Sequence, residues 1–235
     1  FHKNIANSVQ TIYEEALFNL LNKLHKKYSL DNIAIAGGCA MNSVANGKIL
    51  LKTPFKKVYV QAAAGDAGGA VGAALMTWHN FGGEKGKQRI NSHDHAYWGP
   101  AYTNDEIGNL IKLQKNKIEK ENCTIKSFHD FSKLIKITAS EIDKGKVVGW
   151  FQGRMEWGPR ALGNRSILCD PRRADMKDIL NLKIKRRESF RPFAPSIMDD
   201  SVSEWFEQND EVPFMMQVYQ VKKNKRQSIP AVTHV

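Results

Sequence analysis

Apolar residues at Ile5, Val9, Ile12, Ala16, Leu20 and Leu24 recur in steps of three and four, which predicts an amphipathic helix ending near Tyr28. Its stripe packs on its own domain or seats a partner helix. The period then changes. Asn32–Ala36 and Val58–Gln61 read as short buried strands, each followed by a glycine turn and a helix, over Ala40–Leu51 and Ala67–Phe81. Strand, glycine turn and helix, repeated, predict α/β architecture with the turns at the carboxyl ends of the strands. Residues 81–88 are polar and glycine-rich, a linker or surface loop. Beyond them, Thr103 and Glu106 form a capping box ahead of Ile107. Thr124–Phe128 is strand-like, Asp130 or Ser132 caps a helix to Asp143, and Lys146–Phe151 is a strong buried strand. The final residues, Ala231–Val235, look strand-like and stop abruptly. A boundary near residues 85–95 gives two domains, 1–90 and 91–235.

Composition narrows the class. The 235 residues, 42% of them hydrophobic, suffice for one substantial core or two modest ones, so a disulfide-stapled miniprotein and wholesale disorder are excluded. Three scattered cysteines, Cys39, Cys123 and Cys169, fit a reducing compartment, and the expected location is cytoplasmic. No run of about 18 apolar residues predicts a membrane span. Phe1 stands where an initiator Met would, and neither a signal peptide nor a transit peptide follows, which reads as a piece of a longer protein. A net charge of +11, from 35 Lys and Arg against 24 Asp and Glu, asks for an anionic partner: nucleic acid, a membrane surface or phosphorylated small molecules.

The charge is focused. Eight of the ten arginines lie between Arg154 and Arg191, where 11 basic residues face five acidic ones. Arginine offers a rigid fork for phosphate or carboxylate oxygens, whereas scattered lysine mainly aids solubility. Gly153-Arg-Met-Glu-Trp-Gly-Pro-Arg-Ala-Leu-Gly-Asn-Arg-Ser166 is a loop punctuated by glycine and proline, without the i, i+4 acidic partners of a solvated helix face. Lys183–Ser196 ends in a proline-stiffened stretch. Phosphate binding by rigid loops is the preferred reading, with a surface charge run as its alternative. Within the first loop, Glu156 is either a general base or an arginine partner.

Elsewhere, Gly37 and Gly38 open a strand-to-helix turn that suits an anion, or is simply a tight turn. Asp66 begins a helix whose first turns hold only Gly, Ala and Val, and it serves either as a cap or as a metal ligand. His93 and His95, an H-x-H pair without nearby Cys or Glu, receive no metal role. Walker, G-x-G-x-x-G and G-x-S-x-G motifs are absent. Trp157, Phe190 and Phe193 could stack on bases, but no helix-turn-helix, zinc-finger or RNP1-type signature accompanies them.

Three stretches, Ala36–Gly47, Ala63–Ala74 and Gly149–Ser166, together with Arg191-Pro-Phe-Ala-Pro-Ser196 and Ile229–Val235, resemble the O-carbamoyltransferases of the nodulation-factor and antibiotic-tailoring type. The resemblance covers nearly the whole chain. It implies the C-terminal part of an actin-like (ASKHA) domain followed by most of a YrdC-like domain, without an N-terminal half and the extreme C-terminus. The YrdC-like domain is implied to make carbamoyl adenylate from carbamoyl phosphate and ATP. The actin-like domain is implied to pass the carbamoyl group to a hydroxyl of a small-molecule acceptor, with the help of a divalent metal, iron in the family. By the same resemblance, Asp66 matches a metal ligand and Gly37, Gly38 and Asn42 a nucleotide-contacting turn. Arg160 and Lys185 match catalytic residues, which with Arg154, Asn164, Arg165 and Arg191 hold carbamoyl phosphate and the ATP phosphates. The remaining metal ligands fall outside this chain, which is expected to be inactive alone and to need the missing N-terminal half as its partner. Cys39 and Met41 depart from the family's aliphatic residues. The competing readings are a basic nucleic-acid-binding module without catalysis and, resting on the first segment alone, a sugar-kinase-like actin fold.

Overall fold

The structure, a computed structural model, describes residues 1–88 and 95–234. The chain forms two compact units. One comprises Phe1–Ala96, Trp157–Arg160 and Asp199–Gln220; the other comprises Tyr97–Glu156, Ala161–Met198 and Val221–Val235. Each combines helices with a small two-stranded sheet, so the α/β class holds in both. Among the described residues no helix is long and apolar enough to cross a membrane.

In the first unit, helix α1 (His2–Tyr28) precedes β1 (Asn32–Ile35), which pairs in parallel with β2 (Lys57–Val60), placing Ile33 beside Val58 and Ile35 beside Val60. The helix expected over 40–51 is instead three short pieces: a 3-10 turn at Gly38–Met41, α2 (Ser43–Asn46) and α3 (Ile49–Lys52). Asn42 causes the first break, because its side chain accepts the Ala45 N–H and restarts the helix. Gly47 sits at the second. A Cβ built there would overlap the Val218 carbonyl, and Val218 N–H in turn donates to the Ser43 carbonyl at 3.0 Å. The chain then passes through a turn into α4 (Gly68–Phe81), and a short α5 (Gly83–Gly86) occupies the expected loop.

The predicted α1 stripe is not the packed one. Ile5, Val9, Ile12, Leu20 and Leu24 are exposed. The face that packs is Gln10, Tyr13, Glu14, Leu17, Phe18 and Leu21, also at helical spacing but polar in its first half. Leu17, Phe18 and Leu21 join Ile49, Phe55, Ile33, Ile35 and Val58 in the core. Gln10 pairs with Asn42, Tyr13 donates to the Cys39 carbonyl at 3.0 Å, and Glu14 takes Lys48 at 2.7 Å. Apolar periodicity alone reads only half of such a face.

In the second unit the capping box of α6 (Asn104–Leu113) forms in both directions between Thr103 and Glu106, and α7 (Lys115–Lys120) follows. Thr124–Phe128 forms no strand, and Ile125 is exposed. Asp130 caps α8 (Phe131–Asp143) through the Ser132 N–H. The strand β3 (Val148–Phe151) pairs antiparallel with an unpredicted β4 (Arg165–Leu168). A helical run, Met176–Asp178 then a π-turn at Ile179–Ile184, buries Met176 and Leu180 against Val147, Cys169, Phe193 and Ala231. The chain end is 3-10 at Lys223–Ser228 and Pro230–Val232, not strand: Pro230 lacks the N–H a ladder needs, and Ala231 donates to the Pro171 carbonyl. His93 lies outside the described residues, and His95 is exposed.

Replacing Gly47 with Ala forces its methyl group into a backbone carbonyl that the α2 hydrogen bonds hold in place. We expect a loss of about 1–3 kcal/mol, the usual cost of overpacking, measured by urea denaturation. An unchanged midpoint would show that the 208–218 segment gives way freely.

Candidate functional site

The first unit gathers five of the family-implied residues. Gly37, at φ 103°, turns the chain out of β1 in a conformation that side chains rarely adopt, and its N–H donates to the Ala64 carbonyl at 2.7 Å. That bond ties the turn after β1 to the turn after β2. A Cβ at Gly37 or Gly38 would meet no atom within 4 Å, so open space lies over the turn. Arg160 belongs to this unit. Its Nη2 reaches the Met41 carbonyl at 3.5 Å and its Nε the Met216 sulfur at 3.3 Å, and burial pushes the guanidinium below its usual pKa without discharging it at neutral pH. Gly158, at φ 107°, lets the loop lie on the Ala62 carbonyl, where a Cβ would approach to 2.7 Å. Asn42 has its carboxamide engaged by the Ala45 N–H and by Gln10 at 2.9 Å. Asp66 is exposed and does not cap α4, whose N-cap is Ala67.

In the second unit, the connection from β3 to β4 closes around Glu156. The carboxylate is 0% exposed at its side chain. Its Oε1 accepts the N–H groups of Leu162 and Asn164, both at 2.7 Å, and of Arg165 at 3.3 Å, and its Oε2 accepts Arg165 Nε at 2.9 Å. Burial alone would raise its pKa. The Leu162 N–H, the Arg165 guanidinium and the Asn164 N–H outweigh burial and hold it at about 2. Glu156 is therefore an arginine partner and loop organiser, not a general base. Asn164 extends the same web, donating to the Arg154 carbonyl at 2.7 Å and accepting from Gln152 at 3.2 Å, while Arg154 reaches the Gly99 carbonyl at 2.8 Å.

Lys185 and Arg191 lie on the second basic loop of this unit, both exposed. Arg191 forms a surface pair with Glu188 at 2.7 Å. Charge density misled about the neighbours. Arg172 forks onto the buried Asp170 and reaches Asp143, and Arg173 forks onto Asp175, so both arginines brace the fold.

Comparison with known families decides the class. A family model described as the carbamoyltransferase N-terminus matches residues 1–75, and one described as the carbamoyltransferase C-terminus matches residues 139–235. The chain belongs to the carbamoyltransferase family. It is 40% identical to nodulation protein NolO of Bradyrhizobium diazoefficiens over 100% of this chain and 41% of that protein. It is also 40% identical to nodulation protein NolNO of Sinorhizobium fredii, over 100% of this chain and 33% of that protein. An uncharacterised protein of Synechocystis sp. is 39% identical over 99% of this chain and 40% of its own length. The chain thus spans about two fifths or less of these curated relatives.

For a carbamoyltransferase the metal ligand is tested by its donors. Among the described residues no group of three His, Cys, Asp or Glu side chains is placed to hold a metal ion. Asp66 is a single exposed carboxylate, and the resemblance places the remaining ligands outside this chain. Two organising residues escaped the sequence reading. Asn181 is fully buried beneath the second basic loop, and Gln10 grips the glycine turn from α1. The only trace of Gln10 was helical spacing; nothing in the sequence marked Asn181.

Glu156→Gln removes a charge that four donors stabilise. Its folded pKa of about 2 lies below the ordinary 4.5, so its contribution is complete above pH 4.5 and is lost as pH falls through 2. At pH 7 the substitution should cost on the order of 3 kcal/mol, and the difference from the parent should shrink across that acid window. Urea midpoints at pH 7, 4 and 2.5 measure it; a difference independent of pH would contradict the assignment.

Proposed function

We propose that this chain is part of an enzyme that makes carbamoyl adenylate from carbamoyl phosphate and ATP and transfers the carbamoyl group to a hydroxyl of a small-molecule acceptor. In this reading residues 1–90 carry the actin-like portion and residues 91–235 the YrdC-like portion. Carbamoyl phosphate, ATP and one water give carbamoyl adenylate, phosphate and pyrophosphate. The acceptor oxygen then attacks the carbamoyl carbon, AMP leaves, and the hydroxyl proton is released. Both starting compounds are anionic, so a site for them must offset mutual repulsion and stabilise charge on the departing phosphates. Arg160 is the observation that carries the proposal: a half-buried guanidinium at the end of an open glycine turn. Gly37 and Gly38 leave room for a nucleotide there, and Asn42, paired with Gln10, keeps the turn in shape.

Within the second unit, Lys185, Arg191 and Arg154 are the residues the reading assigns to phosphate, with Arg165 and Asn164 holding the β3–β4 connection closed around Glu156. The reading routes no step through a divalent metal; Asp66 is the ligand it assigns to one, with the remaining ligands supplied from outside this chain. A nucleic-acid module gains no support from the ion pairs: Arg165, Arg172 and Arg173 already bind carboxylates, and the Phe193 ring lies under a guanidinium.

In the full-length protein, Arg160→Ala and Lys185→Ala should each lower carbamoyl-phosphate-dependent exchange of labelled pyrophosphate into ATP by at least tenfold, with the thermal midpoint little changed. Exchange at parental rates in both would sink the site assignment. Salt-dependent RNA binding that carbamoyl phosphate and ATP fail to displace would favour the nucleic-acid reading.

A further inference from the structure

We infer that Gln10 is a positioning residue for the glycine turn: it fixes the polarity of the Asn42 carboxamide, so that Asn42 offers a single N–H donor to an acceptor atom of the ligand. That this ligand is a nucleotide rests on the proposed function. All the groups concerned lie within the first unit.

The polarity is set from two ends. At one, the Ala45 N–H donates at 3.1 Å, which requires an oxygen and so identifies Asn42 Oδ1. At the other, Lys48 Nζ donates to both oxygens of Glu14 at 2.7 Å. Burial alone would raise the Glu14 carboxyl; the Lys48 and Gln10 hydrogen bonds and the Lys48 charge hold it below its ordinary pKa. An ionised carboxylate only accepts, so the Gln10 atom 2.8 Å from Glu14 Oε1 is the amide nitrogen Nε2. Gln10 then meets Asn42 head to tail: Nε2 donates to Oδ1 at 3.3 Å, and Oε1 accepts from Nδ2 at 2.9 Å. An amide oxygen accepts two hydrogen bonds and an amide nitrogen donates two. Asn42 Oδ1 has both of its own, from Ala45 and Gln10, and Nδ2 has given one. What remains is one N–H, without an acceptor among the described residues.

Packing does not call for this chain of contacts. Along the same face of α1, Leu17, Phe18 and Leu21 reach the core with apolar side chains alone. Where the helix meets the turn the face is polar and half-buried, and every contact goes to residues 39–48: Tyr13 to the Cys39 carbonyl at 3.0 Å, Gln10 to Asn42, Glu14 to Lys48. Such groups cost desolvation that an apolar face would avoid. What they supply is direction. The residue they direct adjoins Met41, whose carbonyl takes Arg160, and the open space at Gly37 and Gly38 lies on the same turn. Lys48, Glu14 and Gln10 thus act on the ligand only through Asn42.

Full-length protein is titrated with ATP by calorimetry, as the parent and as Gln10→Glu, Asn42→Ala and the double variant. Gln10→Glu keeps the shape and the acceptor but loses both amide donors. We expect it to weaken ATP binding about tenfold, the scale of one lost hydrogen bond. Once Asn42 is alanine, Gln10→Glu should add no further loss, because Gln10 then has nothing to position. Lys48→Met should weaken binding severalfold and Lys48→Arg should restore it. In steady state, the KM for ATP rises in Gln10→Glu while the KM for carbamoyl phosphate stays parental, a split that a general loosening of α1 would not produce. ATP binding at parental affinity in Gln10→Glu, or losses that add in the double variant, overturns the inference and leaves the nucleotide reading standing. If the parent itself binds no ATP, the nucleotide reading and the inference fall together. Should Gln10→Glu fail to fold, Lys48→Met decides, and parental affinity there overturns the inference.

Discussion

The Glu156 carboxylate is the constraint on which the arginine loop depends. Thirteen residues, 152–164, connect β3 to β4, long for a hairpin connection and without regular structure of its own to hold it. A charged carboxylate in a dry position costs several kcal/mol unless its oxygens are saturated. Here three backbone N–H groups and one guanidinium saturate them. The loop is thus folded around its own anion. Because Leu162, Asn164 and Arg165 all point N–H groups at one carboxylate, the base of the loop has a single closed arrangement.

The same device recurs with neutral groups. Asn181 satisfies two carbonyls and one guanidinium from within the second unit's core, and Asn46 in the first unit donates to the Ala40 and Met216 carbonyls while fully buried. Each takes an irregular stretch of backbone and supplies the hydrogen bonds that a helix or sheet would otherwise have given it. That explains how a chain with two-stranded sheets keeps its irregular loops ordered. Gln10 and Asn42 extend the principle to the glycine turn, where the paired carboxamides join α1 to the residue that restarts the helix.

These organisers also mark where sequence reading succeeds and fails. Capping boxes, glycine turns and alternating strands are local, and Thr103 with Glu106, Gly37, and the two parallel strands were legible from neighbours in sequence. The fragmented helix after Met41 was not, since Gly47 meets a carbonyl 171 residues away in the chain. Neither was β4, whose Arg-Ser-Ile-Leu reads as strand only once Val148–Phe151 is beside it. The α1 face illustrates the limit most clearly. Its packed side is half carboxamide, phenol and carboxylate, so hydrophobic periodicity selected the exposed side. The candidate site was legible as residue types, glycines and arginines in unusual loops, but not as roles.

Those roles follow from what each guanidinium already touches. A count of basic residues treats all eight arginines of the cluster as equally available to a substrate. Arg165, Arg172 and Arg173 are neutralised by Glu156, Asp170 and Asp175, and they hold backbone in place. Removing Arg165 or Arg172 would take a donor from the buried Glu156 or Asp170, which perturbs the fold before it perturbs a ligand. Arg160 reaches a carbonyl and a sulfur, and Arg187 is held by an amide and a ring. Orientation without neutralisation is the physical requirement for binding an anion with geometric selectivity, because the charge is kept while the entropy of placing it is already lost on folding. The basic cluster therefore divides by partner: Arg165, Arg172 and Arg173 close on carboxylates and brace the fold, while Arg154 and Arg187 are held by carbonyl and amide oxygens.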